Sequence, residues 1–222
     1  MPDIADTLAL LKQNIEKTAL ESGRRADDIN LVAVSKRQPV EKIIKALEAG
    51  QRFFGENRIQ DAQKIWPDLA TRYPDKILHL IGPLQSNKTA EAVKLFDVIE
   101  TIDRPKIARA LATEMAAQNK NLPCFIQVNT GAEAQKSGVL PEDLEDLYQL
   151  AKTELGLNIV GLMCIPPMDE ASGLHFSLLR KLAQKFNLPY LSMGMSSDYQ
   201  TAIKFGATHI RVGTALFGAR DD

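Results

Sequence analysis

The segment NLVAVSKRQPVEKIIKALEAGQRFFGEN, residues 30–57, decides the fold. A short β-branched run (30–35) gives way at Pro39 to a helical pattern over 40–49, and a second apolar run, RFFG, follows at 52–55. Proline suits the first turn of a helix, because its missing N–H would be unpaired there in any case. Strand, helix and strand in this order make a crossover unit, and crossover units build parallel sheets.

The same alternation extends to the end of the chain. Further strand patterns are ILHLIG (77–82), DVIETI (97–102), PCFIQVN (123–129), NIVGLMCI (158–165), PYLSMG (189–194) and HIRVG (209–213). Helical patterns fall between them at 58–72, 87–95, 105–119, 141–155, 173–186 and 198–205. Eight strands in one unbroken alternation predict an α/β fold, a closed (β/α)8 TIM barrel rather than a doubly wound sheet. Ahead of it, Ile4, Leu8, Leu11, Ile15 and Leu20 recur near helical spacing and predict an extra N-terminal helix. Little length follows HIRVGTALFG for a full eighth helix, so the N-terminal helix is expected to cover that side. No linker, low-complexity tract or short repeat divides residues 1–222, which read as a single domain.

Composition narrows the function. Hydrophobic residues make up 45% and charged residues 25% of the 222, values of a packed globular chain that exclude disorder. Lys and Arg total 27 against 28 Asp and Glu, a formal charge of -1. So balanced a chain has no global field for nucleic acid or anionic lipid, and neither is expected as a partner. Cys124 and Cys164 each sit in an apolar run and read as buried, reduced thiols. His79, His175 and His209 lie far apart, and no metal-ligand spacing occurs, so no metal is expected. Charges interrupt the N-terminal stretch too often for a signal peptide, and no run is apolar enough to span a bilayer. The expectation is a soluble cytoplasmic protein.

In a barrel, strand residues alternate between lumen and exterior, and chemistry gathers at the C-terminal strand ends. Val32, Val34 and Lys36 share one parity, with Lys36 closing the first strand. A lysine recessed there loses proton affinity through desolvation, and a partly neutral amine suits Schiff-base chemistry. Taken alone, a lysine at a strand end is more often a solvated loop residue. Ile77, His79 and Ile81 share a face, with His79 read by default as a satisfied core histidine. Gln127 and Asn129 suggest polar packing or a ligand contact near the rim. His209, Arg211 and Gly213 share the last strand's face, and a lumen arginine needs an anion, a ring nitrogen or a carboxylate as partner. Two small-residue turns, SMGMSSD (192–198) and GTALFG (213–218), follow strands seven and eight, where barrels commonly hold phosphate on backbone N–H groups. Amine, arginine and phosphate cup fit pyridoxal 5'-phosphate, and a phosphorylated sugar aldehyde would satisfy much of the same set.

VAVSKRQP, FGENRIQD (54–61), HLIGPLQSNK (79–88), QVNTGAEAQKSG (127–138), GLMCIPP (161–167), LSMGMSSD (191–198) and IRVGTALFG (210–218) resemble, in family order, the pyridoxal phosphate homeostasis proteins of the YggS/PROSC family. The resemblance spans nearly the whole chain. It implies a barrel like the N-terminal domain of alanine racemase, fold type III among pyridoxal phosphate proteins. It implies Lys36 as the internal-aldimine lysine and Arg211 as the partner of the pyridine nitrogen. Ser196, Ser197, Gly213 and Thr214 would form the phosphate cup, and Asn57, Gly194 and Met195 would lie near the ring. RQP after Lys36 departs from the commoner TKP-like continuation, and Lys136 in GAEAQKSG has no assigned chemical role.

An arginine at the ring nitrogen makes the ring a weaker electron sink. Racemases of this fold add a tyrosine from a separate β-domain of the partner subunit, and this chain leaves no length for one after the barrel. None of Tyr73, Tyr148, Tyr190 and Tyr199 is placed in that role by sequence. The resemblance therefore implies a monomeric carrier in vitamin B6 and amino-acid homeostasis, not a robust enzyme, with transient contacts to cofactor-requiring enzymes. The alternatives are a pyridoxal phosphate-dependent racemase or decarboxylase, a Schiff-base aldolase of a sugar phosphate, and a nonenzymatic scaffold.

Overall fold

The computed structural model describes residues 3–218. Its strands are β1 (Asn30–Val34), β2 (Phe53–Glu56), β3 (Ile77–Leu80), β4 (Val98–Ile102), β5 (Cys124–Val128), β6 (Ile159–Cys164), β7 (Tyr190–Ser192) and β8 (His209–Val212). All pair in parallel with their sequence neighbours, and β8 returns to β1, so the barrel closes in chain order. This is the expected (β/α)8 barrel. The helices are α1 (Ile4–Glu21), α2 (Val40–Glu48), α3 (Ile59–Arg72), α4 (Thr89–Leu95), α5 (Pro105–Ala117), α6 (Leu144–Tyr148), α7 (Ser172–Lys185), α8 (Tyr199–Lys204) and α9 (Thr214–Phe217).

Strand alternation separates two apolar regions. Outward residues such as Ala33, Phe54, Leu78, Ile99, Ile126 and Leu162 join the helices in one continuous core. Inward Val98, Phe125 and Met163 form a small separate cluster within the barrel. The helix α1 packs against α2, α8 and α9, and α9 is only four residues long. The extra helix thus covers the side where a long eighth helix would lie.

Two sequence expectations need correction. Leu20 is 67% exposed, and the buried face of α1 runs instead through Ile4, Leu8, Leu11, Ile15, Thr18 and Ala19. Spacing from Ile15 to Leu20 is five residues, too far around a helix of 3.6 residues per turn to stay on that stripe. The helix expected at 141–155 begins only at Leu144 and widens into a π-helical segment, Gln149–Glu154.

Candidate functional site

Strand register brings β7, β8, β1 and β2 to one sector of the C-terminal mouth. Val34 pairs with Gly55, so Lys36 and Asn57 each lie two residues beyond a paired position, at the same level. At Arg37 the backbone takes a positive φ of 57°, turning the chain toward α2 directly after Lys36. Lys36 is half-buried. The preceding residue, Ser35, donates its hydroxyl to Glu56 Oε1 at 2.6 Å, and Trp66 Nε1 donates to the same oxygen at 3.2 Å. Burial pushes the Glu56 carboxyl above its ordinary value, against those two hydrogen bonds and the nearby Lys36 charge. One buried carboxyl therefore braces the turns that carry Lys36 and Asn57.

On the other side of β1, Ser196 Oγ accepts hydrogen bonds from the backbone N–H of Gly213 (3.2 Å) and of Ala215 (3.3 Å). Two amides converging on one oxygen form an anion-sized cradle. A Cβ on Gly213 would lie 3.5 Å from Val34, so the cradle abuts the end of β1, two residues before Lys36. Ser197 and Thr214 are exposed at its edge. The turn before it needs Gly194, where φ is 92° and a Cβ would fall 2.5 Å from that of Ala202. Met195 N donates to Asp198 Oδ1 at 2.6 Å, which fixes the following residues. Since α8 has six residues and α9 four, converging amides, not a long helix dipole, carry the electrostatics.

Beneath the mouth lies a polar network in the lumen. Arg211, 3% exposed, donates from Nη1 to Ser192 Oγ (2.7 Å) and from Nη2 to the Cys164 carbonyl (2.8 Å). Ser192 Oγ in turn donates to Glu100 Oε2 at 2.6 Å, and His79 Nδ1 donates to Glu100 Oε1 at 2.6 Å. Glu100 Oε2 stands 4.0 Å from Arg211 Nη1. Burial acts to raise the Glu100 pKa, but the His79 hydrogen bond and the charges of His79, Arg211 and His209 outweigh it and bring it to about 2. Arg211 therefore has a carboxylate counterion, one of the partners left open from sequence. At the base, Asn30 Nδ2 contacts His209 Nε2 at 3.2 Å, and burial with the nearby cations lowers the His209 pKa to about 4.

Among the sequence candidates, Lys36, Asn57, Gly194, Met195, Ser196, Ser197, Arg211, Gly213 and Thr214 all fall in this sector. His79 satisfies the core-histidine reading at Nδ1 only, because its buried Nε2 has no hydrogen-bond partner among the described residues. Gln127 and Asn129 are polar packing: Gln127 Nε2 donates to the Ser137 carbonyl, and the Asn129 side chain bonds both the N–H and the carbonyl of Glu133. Lys136 ties the same loop to the Pro166 carbonyl at 3.2 Å and pairs with Glu133. Both cysteines are buried and unbridged, and burial pushes each thiol up to about 12.

Sequence reading missed Glu100, Ser192 and Glu56. A glutamate inside the β-branched run DVIETI, two residues from Val98 on the lumen parity, was the available signal. Tyr190 begins β7 at the opposite end of the barrel, and Tyr148 stacks on Phe186 at 4.5 Å. Burial raises the Tyr199 phenol above its ordinary value, away from a role as base. Among the described residues no cluster of three or more metal-ligating side chains occurs, and no helix is long and apolar enough to cross a membrane.

The alanine racemase N-terminal domain family matches residues 7–221. A pyridoxal phosphate homeostasis protein of Vibrio cholerae is 42% identical over 231 aligned positions, covering 100% of this chain and 98% of the relative. PipY of Synechococcus elongatus, solved with PLP bound, superposes with a TM-score of 0.80 at 35% identity, covering 97% of this chain and 100% of that one. An alanine racemase of Clostridium difficile shares the fold alone, with a TM-score of 0.73 at 13% identity over 99% of this chain and 57% of its own.

Proposed function

The chain belongs to the pyridoxal phosphate homeostasis proteins, and on that premise we propose that it binds pyridoxal 5'-phosphate at the β7–β8–β1–β2 sector and serves vitamin B6 and amino-acid homeostasis without robust catalysis. The observation that carries this reading is the pair of amides converging on Ser196 Oγ beside the end of β1, two residues before Lys36. That cradle suits a phosphate oxygen. The residues present fit the cofactor.

When bound, pyridoxal phosphate supplies an electrophilic aldehyde and an electron-withdrawing ring. Lys36 would provide the amine for the aldehyde, while Gly213, Ala215, Ser196, Ser197 and Thr214 would hold the phosphate. Arg211, permanently charged and balanced by Glu100, would face the ring nitrogen and disfavour its protonation. That choice weakens carbanion chemistry and suits storage and exchange. Gly194 and Met195 shape the wall beside the ring. Two buried, unpaired thiols suit a cytoplasmic protein, and the closed barrel suits a monomer that passes its cofactor on through transient contacts.

Borohydride reduction of the loaded protein, followed by peptide mass mapping, should place the pyridoxyl group on Lys36, and Lys36→Ala should lose the visible absorbance. An adduct found only elsewhere would overturn the assignment. The racemase or decarboxylase alternative gains if amino acids turn over at roughly 1 per second or faster and Lys36→Ala abolishes it.

A further inference from the structure

Two segments that carry the family resemblance, FGENRIQD and HLIGPLQSNK, contribute only Asn57 to the cofactor site. The structure brings both around a second feature. Asn57–Asp61 and Pro83–Gln85 with Lys88, joined by Arg104 and Ser137, line a cavity of about 860 Å³ formed by the loops after β2, β3, β4 and β5. It adjoins the cofactor sector through Asn57.

The walls are tied together. A Cβ on Gly82 would fall 2.1 Å from the Asn57 carbonyl oxygen, so the loops after β2 and β3 meet backbone to backbone. Arg104 Nη2 donates to the Leu84 carbonyl at 3.1 Å, joining the loop after β4 to the one after β3. Gln127 secures Ser137 through its carbonyl at 3.1 Å.

The lining carries three cations, Arg58, Lys88 and Arg104, against one acid, Asp61. Lys88 pairs with Glu91 at 2.9 Å and Arg104 with Asp103 at 2.5 Å. The Arg58 carbonyl accepts from Ala62 N–H at 3.1 Å, while its guanidinium has no hydrogen-bond or ion-pair partner among the described residues. Asn57 Oδ1 is buried and also lacks a donor, a state that costs free energy until one is supplied. An occupant must therefore bring an anion and a hydrogen-bond donor in one small frame. An α-amino acid has both, as carboxylate and ammonium.

We propose that this cavity binds a free α-amino acid, with its carboxylate toward Arg58 and Arg104 and its ammonium toward Asn57 Oδ1 and Asp61. The site lies beside the strand end that bears Lys36 and would present an amine-containing metabolite next to the cofactor aldehyde. This goes beyond the cofactor-carrier reading and stands without it, because its determinants lie outside Lys36 and the phosphate cradle.

The test is an amide-resolved NMR titration of the cofactor-free, full-length protein with L-alanine, propionate and inorganic phosphate. Alanine should saturate, with shifts gathered at residues 57–61, 83–88 and 104. Propionate, which lacks the ammonium, should bind roughly fivefold or more weakly, and Arg58→Ala should weaken alanine by a similar factor. Arg58 is exposed and unpaired, so its removal leaves the fold intact, which the spectrum itself reports. Failure to saturate, shifts gathered elsewhere, propionate or phosphate binding as tightly as alanine, or no effect of Arg58→Ala would each overturn the proposal. With no aldehyde present, such a failure leaves the Lys36 assignment standing, and loss of that assignment leaves this site.

Discussion

Glu100→Gln changes little volume yet removes the one carboxylate that pairs with Arg211 among the described residues, leaving a guanidinium that is 3% exposed without a counterion. At the observed 4.0 Å, and with an effective dielectric of about 20, the lost attraction is about 4 kcal/mol. The amide also cannot accept from both His79 Nδ1 and Ser192 Oγ, which now donate at 2.6 Å to separate oxygens. Breaking a buried pair in this way costs about 3–5 kcal/mol. For a chain of this length that lowers the melting temperature by roughly 6–20 °C. Circular dichroism melts at neutral pH measure this directly. Acid titration supplies a second reading. The folded Glu100 pKa of about 2 lies below its ordinary 4.5, so the unfolded chain takes up that proton first as pH falls. The stabilisation is whole above about pH 4.5, disappears as pH falls through about 2, and amounts to about 3 kcal/mol. Should Glu100→Gln melt within roughly 3 °C of the wild type, with a superimposable acid profile, the central role given to this carboxylate is wrong.

Three further outcomes are expected. His209, lowered to about 4, binds its proton more readily when unfolded, so wild-type stability should fall by about 3 kcal/mol between pH 6.5 and pH 4; urea titrations of His209→Asn should lack that segment of the profile. Gly194→Ala places a methyl in a positive-φ turn against Ala202 and should cost about 1–3 kcal/mol, with faster cofactor loss seen in dialysis followed by absorbance. Cys124 and Cys164 should stay silent to a thiol reagent in the native protein and both react in guanidinium, because the thiols are buried and held near 12; fast labelling under native conditions would contradict their placement.

The order of elements was legible in the sequence because a parallel barrel repeats one local rule. Each short β-branched run needs a crossover helix, and the patterns at 77–82, 123–129 and 209–213 contain the observed strands β3, β5 and β8. The catalogue of mouth residues was legible for the same reason, since a residue just past a strand end lies at the mouth whatever its partners are. Boundaries were less so. The stretch 141–155 has a helical pattern throughout, yet its first three residues form a turn and Gln149–Glu154 widens into a π-helix.

Only the closed barrel decided which polar groups meet. Glu100 and Ser192 lie 92 residues apart in sequence and 2.6 Å apart in the lumen, and no local pattern encodes that approach. Arg211 therefore announced a need for a partner from sequence without naming it. Local periodicity follows from backbone geometry within a few residues, whereas a buried charge is settled by whichever distant side chains the barrel's register carries to it.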